Sequence, residues 1–123
     1  MKLSFSTLGC PNYNMDNVIE MAAKNGFDGV EIRAVSGTVQ IASLDEFKGS
    51  GLTATKKKLK DAGIEVACVG TGASFCTANA EHQKKTLEDA KVYMEIAAAL
   101  DCPYVRVFGG PVPAMQSFSE SLK

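Results

Sequence analysis

Gly26-Phe27-Asp28-Gly29-Val30-Glu31-Ile32-Arg33 decides the fold, because the chain repeats its grammar. A helix-like run ends at a turn residue, and a short strand follows at once. The pattern returns in Lys60-Asp61-Ala62-Gly63-Ile64-Glu65-Val66-Ala67 and again in Ala99-Leu100-Asp101-Cys102-Pro103-Tyr104-Val105-Arg106-Val107-Phe108. Glycine just past a helix takes the left-handed cap that other residues adopt only with strain, and proline cannot continue a helix. Gly26, Gly63 and Pro103 therefore read as punctuation. Side chains alternate along a strand, so Val30 and Ile32 point one way while Glu31 and Arg33 point the other.

Working outward, Lys2 to Ser6 alternates as a first strand, with Leu3 and Phe5 on one face and Ser4 and Ser6 on the other. Gly9-Cys10-Pro11-Asn12 forms a loop. Asn14 is placed to cap a helix with Asp16 in its first turn and Met15, Val18, Ile19, Ala22 and Ala23 at helical spacing. After the second strand, residues 35–51 read as irregular, with a brief helical turn at Leu44-Asp45-Glu46-Phe47. Leu52 to Ala62 is an amphipathic helix, lysine-rich outside, with Leu52, Leu59 and Ala62 available for burial.

A third strand runs from Ile64 to about Val69 and leads into Gly70-Thr71-Gly72-Ala73-Ser74-Phe75. The glycines invite comparison with a dinucleotide fingerprint, but the third glycine position holds Phe75 and the next helix starts later, near Asn79. A loop needing glycine for tight backbone geometry accounts for them better. The longest helix carries a stripe of Leu87, Ala90, Met94, Ala97 and Ala98, flanked by Ile96 and Leu100, and its His82, among Glu81, Gln83 and Lys84, should be exposed. A fourth strand, Tyr104 to Phe108, opens into Gly109-Gly110-Pro111, and a further helix is expected from Ala114 to Lys123.

With 123 residues, 46% hydrophobic and 22% charged, the chain has the content of one soluble domain. A net charge of -1 sets up no field to attract nucleic acid, and Lys56, Lys57, Lys58 and Lys60 read as the solvated face of a helix. Met1 to Thr7 has no apolar signal core and the longest apolar run, Ile96 to Leu100, cannot cross a bilayer. A cytoplasmic location without membrane or nucleic-acid partners is expected. Cys10, Cys68, Cys76 and Cys102 form no C-x-x-C pair and have no histidine at zinc spacing, so reduced thiols are expected.

Strands alternating with helices call for a parallel sheet with right-handed crossovers. In a doubly wound sheet the central strands are buried on both faces and read as continuous apolar runs. Here Ser4, Ser6, Glu31, Arg33, Glu65 and Arg106 all fall on one side. A (β/α)8 TIM barrel accounts for them, because its helices cover only the outside and its polar site lies at the C-terminal strand ends. Alternate strands share an interior layer, so Glu31 and Arg106 should approach each other across the third strand. Such a barrel takes eight strands and about 250 residues. The expectation is one partial domain over 1–123, the N-terminal half of a TIM barrel from its first strand to the start of its fourth helix. It is either truncated or completed by a second copy or a missing half, and its open edges favour self-association.

Ser6-Thr7-Leu8-Gly9-Cys10-Pro11, the stretch from Gly26 to Arg33, Gly63-Ile64-Glu65-Val66 and Val105-Arg106-Val107-Phe108-Gly109-Gly110 together resemble xylose isomerase-like TIM barrels, and more narrowly the sugar phosphate isomerase/epimerase family. The likeness spans essentially the whole chain but only the first half of a member. The resemblance implies a sugar substrate and a divalent metal (Mn, Mg, Zn or Co) held by two glutamates, an aspartate and a histidine on the fifth to eighth strands. It also implies proton shuttling at the carbon next to a carbonyl. Those strands would follow Lys123, so the resemblance implies neither metal binding nor catalysis by this chain alone. What carries over is Glu31 at the end of the second strand and Arg106 with Phe108 at the end of the fourth. With Arg33 and Ser6 they are the candidate substrate-binding residues, and no catalytic residue is assigned. The blander alternatives are a structural Glu31–Arg33 ion pair and a core aromatic at Phe108. Other readings of the whole chain are a non-catalytic self-associating half barrel, a small doubly wound nucleotide-binding domain, and an abasic-site endonuclease, which the acidic balance disfavours.

Overall fold

Asn14 accepts a hydrogen bond from the Asn17 backbone at 2.9 Å and so opens the first helix, α1 (Met15–Lys24). A computed structural model describes residues 1–111, and the helix expected from Ala114 lies outside the described residues. Strand β1 (Ser4–Ser6) precedes α1 and β2 (Gly29–Ile32) follows it. Then come α2 (Gly49–Asp61), β3 (Glu65–Ser74), α3 (Ala80–Ala99) and β4 (Val105–Phe108). The four strands are parallel in the order β1-β2-β3-β4. A doubly wound sheet reverses its order at a switch point; this one runs in sequence, as neighbouring strands of a TIM barrel do.

One face of the sheet makes the core. Val30, Ile32, Val66 and Val69 pack with Met15, Val18, Ile19 and Ala22 of α1, Leu59 of α2, and Tyr93, Ile96 and Ala97 of α3. Full burial of each large aliphatic contributes about 1.5–3 kcal/mol. The opposite face is polar and less covered, with Glu31 and Arg106 only part-buried. Among the described residues no helix is long and apolar enough to cross a membrane.

The punctuation holds where it is local. Gly26 and Gly63 adopt φ of +72° and +71° after α1 and α2. After α3 the left-handed position falls on Asp101, with φ +56°, rather than on a glycine. That conformation costs about 1–2 kcal/mol in a non-glycine residue, and a bond from Lys56 at 2.9 Å holds the Asp101 carboxylate. Lys58 reaches Asp16 on α1 at 2.7 Å, so two lysines of the basic cluster tie helices to their neighbours while remaining solvated.

Three expectations are corrected. Helix α2 starts at Gly49, not Leu52, because Gly51 has no side chain to strike the Asp45 carbonyl of the preceding 3-10 turn, Asp45–Phe47. Strand β3 continues through Gly70, Thr71 and Gly72 to Ser74 instead of ending near Val69. Helix α3 buries Thr86, Ala90, Tyr93, Ile96 and Ala97, leaving Leu87 and Met94 nearly half exposed. The two stripes share Ala90 and Ala97, and the choice between them belongs to the sheet beneath. His82 is exposed, as expected.

Candidate functional site: the polar face at the strand ends

Register assembles the site. Ser6 stands opposite Glu31, Glu31 opposite Cys68, and Gly70 opposite Arg106. A bulge in the β2–β3 pairing, between Val30 and Glu31, pairs Val30 with Val66 but Glu31 with Cys68. The extra residue, Ala67, reverses the alternation of β3. It turns Val69 into the core and puts Cys68 and Gly70 on the polar face.

Glu31 and Arg106 meet across β3, with Arg106 Nε 3.4 Å from Glu31 Oε1. This is Coulombic contact without an aligned hydrogen bond, for Nε is buried and has no hydrogen-bond partner among the described residues. The guanidinium also lies 4.7 Å from the centre of the Phe108 ring, a cation–π arrangement that stabilises it by about 1 kcal/mol. Phe108 itself is 43% exposed and is no core aromatic. Ser6 caps the 3-10 turn Thr7–Gly9 by accepting from the Leu8 backbone at 3.3 Å, leaving its hydroxyl proton free to donate.

Arg33 does not pair with Glu31. It follows the end of β2, is 9% exposed, and donates from Nη1 to the Val39 carbonyl at 3.0 Å. Its stem runs over Gly70, where an added Cβ would lie 2.6 Å from Arg33 Cδ and 3.2 Å from Arg106 Nη2. Neither Gly70 nor Gly72 has a positive φ. Both are strand glycines, and Gly70 leaves room for two arginines to cross the sheet.

Thr7 and Tyr93 complete the support, and the sequence singled out neither. Thr7 is fully buried, and its Oγ1 accepts from the backbone of Arg33 at 2.9 Å and of Ala34 at 3.0 Å, locking the end of β1 to the end of β2. Tyr93 of α3 donates to the same Val39 carbonyl at 3.2 Å. The signal for Thr7 was its place directly after a strand, next to Ser6. Burial pushes the Tyr93 phenol above its ordinary range, with the Arg33 charge pulling the other way. Burial and then the Glu31 carboxylate push the Cys68 thiol up, so it stays protonated at neutral pH.

These residues do not fit a divalent metal. Such an ion needs several oxygen or nitrogen donors around it. Here one carboxylate sits beside a guanidinium and a protonated thiol, and among the described residues no group of three or more His, Cys, Asp and Glu is placed to hold an ion.

The profile of the xylose isomerase-like TIM barrel family matches residues 19–123. No curated protein sequence matches. Among solved structures, a probable 3-DHS dehydratase from Bacillus anthracis, AsbF, involved in petrobactin synthesis, superposes with a TM-score of 0.69 at 22% identity over 89% of this chain and 39% of its own. A D-psicose 3-epimerase, solved in the presence of D-fructose, gives 0.70 at 18% identity over 98% of this chain and 43% of its own. A xylose isomerase domain protein from Planctomyces limnophilus gives 0.64 at 18%, over 98% and 46%. The chain thus spans less than half the length of each.

Proposed function

The chain belongs to the xylose isomerase-like TIM barrel family, and from that premise we propose that it forms one wall of the substrate site in an enzyme resembling the sugar phosphate isomerases and epimerases, acting on sugars or related polyols. The observation that carries this reading is the Glu31–Arg106 pair, part-buried on the polar face. It combines an acceptor and a fork of donors, the combination that grips vicinal hydroxyls. Phe108 beside it offers an apolar face to the carbon side of a sugar ring. The Ser6 hydroxyl adds a donor from the β1 end.

The divalent metal implied for the family has no ligand set among the described residues of this wall, so on this reading the wall binds and orients while the proton transfer belongs to residues elsewhere. The chain alone is inactive on this reading. The test supplies it with the second half of a family barrel and follows deuterium uptake next to the carbonyl of a panel of ketoses and aldoses, with Mn, Mg, Zn or Co added in turn. Uptake should need both halves and fall at least tenfold in Glu31→Ala. A reconstituted barrel that exchanges no proton with any of these metals removes the reading.

A second reading rests on the sheet edges. Strands β1 and β4 each lack a neighbour on one side among the described residues, and Leu3, Leu8, Tyr104 and Phe108 near them are exposed. Open edges recruit further strands. The chain would then exist as a dimer of half barrels, and a concentration-independent monomer in size-exclusion chromatography removes that alternative.

A further inference from the structure

Where the strands end, the described residues of the polar face carry more positive charge than they neutralise. Arg33, 9% exposed, makes a single side-chain hydrogen bond among the described residues, to the Val39 carbonyl. No carboxylate among the described residues forms an ion pair with it. A guanidinium withdrawn from water without an acid is costly, because nothing replaces the charge compensation that solvent gave it. Arg106 adds a second cation; among the described residues its buried Nε has no hydrogen-bond partner and its one acid, Glu31, stands off at 3.4 Å. At the C-terminal ends of the strands, among the described residues, Arg33 and Arg106 against the one carboxylate of Glu31 leave a surplus of positive charge.

Both arginines converge on a strip of β3 without side chains. An added Cβ on Gly70 would be 3.2 Å from Arg106 Nη2, and one on Gly72 would be 3.8 Å from Arg33 Nη2. The Arg106 guanidinium carbon lies over the Phe108 ring, 4.7 Å from its centre. A cation–π contact uses the charge and not the N–H groups, and those N–H groups match an oxyanion two at a time.

We infer that Arg33 and Arg106 form, over Gly70 and Gly72, a binding site for an oxyanion: a carboxylate or phosphate carried at one end of the substrate. Glu31 is the internal competitor that holds Arg106 in place until that group arrives. The inference deepens the reading of this face as a substrate wall by naming the class of substrate, an acidic sugar derivative. A neutral polyol would leave the surplus charge uncompensated.

The test needs no turnover. The 123-residue chain is titrated calorimetrically with inorganic phosphate, with acetate and with neutral xylitol, at an ionic strength held constant with chloride. At least one of phosphate and acetate should bind more tightly than chloride, and xylitol should not. Arg106→Gln should weaken that binding at least tenfold, Arg106→Lys should fall between, and Glu31→Gln should strengthen it severalfold by removing the competitor. A gain in Glu31→Gln cannot come from misfolding, so the inference stays falsifiable if an arginine variant folds poorly. Phosphate preferred over acetate identifies a phosphate monoester, and the reverse identifies a sugar acid. Binding no stronger than chloride, or indifferent to both Arg106→Gln and Glu31→Gln, overturns the site while leaving an isomerase of neutral sugars standing. Oxyanion binding together with a reconstituted barrel that moves no proton removes the isomerase instead.

Discussion

Among the described residues two ion pairs lie on the polar side of the sheet, one at each end of its strands. At the end where the strands begin, Lys2 donates to both oxygens of Glu65 at 2.8 Å, with the two side chains 70% and 67% exposed. At the other end Arg106 stands 3.4 Å from Glu31, with 37% and 28% exposed. The shorter pair has the better geometry and the lesser consequence, since exposed pairs trade protein contacts for equivalent water contacts. The longer pair is braced by a clamped backbone, an aromatic ring and a glycine strip. Bond length alone would rank the two ends the wrong way round; burial and the supporting contacts rank them correctly.

If the support is concentrated where the strands end, substitutions there should cost most. Thr7→Val keeps the shape but strips the Arg33 and Ala34 N–H groups of their buried acceptor, and should lower unfolding free energy in urea by about 3 kcal/mol. A loss under about 1 kcal/mol would break the contrast. Gly70→Ala forces the Arg33 stem aside and should cost about 2 kcal/mol by the same measurement, the penalty of overpacking.

Tyr93→Phe should cost about 1 kcal/mol through the lost bond to Val39, and it carries a pH signature. The folded phenol holds its proton more tightly than the unfolded one. Its contribution is therefore complete below about pH 10 and is lost as the pH rises from there toward the folded value. Urea midpoints between pH 9 and 11 should fall less steeply in Tyr93→Phe than in the parent, and identical slopes would show that burial does not restrain this proton. Smallest of all, Glu65→Ala should leave the thermal midpoint within measurement error, and its effect should not change with salt. A marked loss there would make the two ends equivalent and undo the comparison.

Much of this architecture was legible because its signals are short-range. Asn14, Gly26 and Gly63 mark helix ends through contacts a few residues long, and the stretch from Gly29 to Arg33 shows its alternation to anyone counting by twos. The proximity of Glu31 and Arg106 followed from the barrel rule that alternate strands share a layer. The buried face of α3 was not legible, because Leu87 with Met94 and Thr86 with Tyr93 are stripes of similar quality. Nor was the partner of Arg33, for the Val39 carbonyl that accepts its hydrogen bond belongs to an irregular segment whose path no periodicity encodes.

By itself the sequence determined that strands and helices alternate, that each strand has a wet side, and where most elements stop, since caps and periodicity act within a turn or two of chain. Only the tertiary structure decided which residues share that wet side on β3. One residue, Ala67, slips out of register against β2 and inverts everything after it, sending Val69 inward and opening Gly70 to the two arginines. Such a slip depends on how two strands thirty-odd residues apart settle against each other and against the helices behind them, a balance of packing that no local stretch of sequence carries.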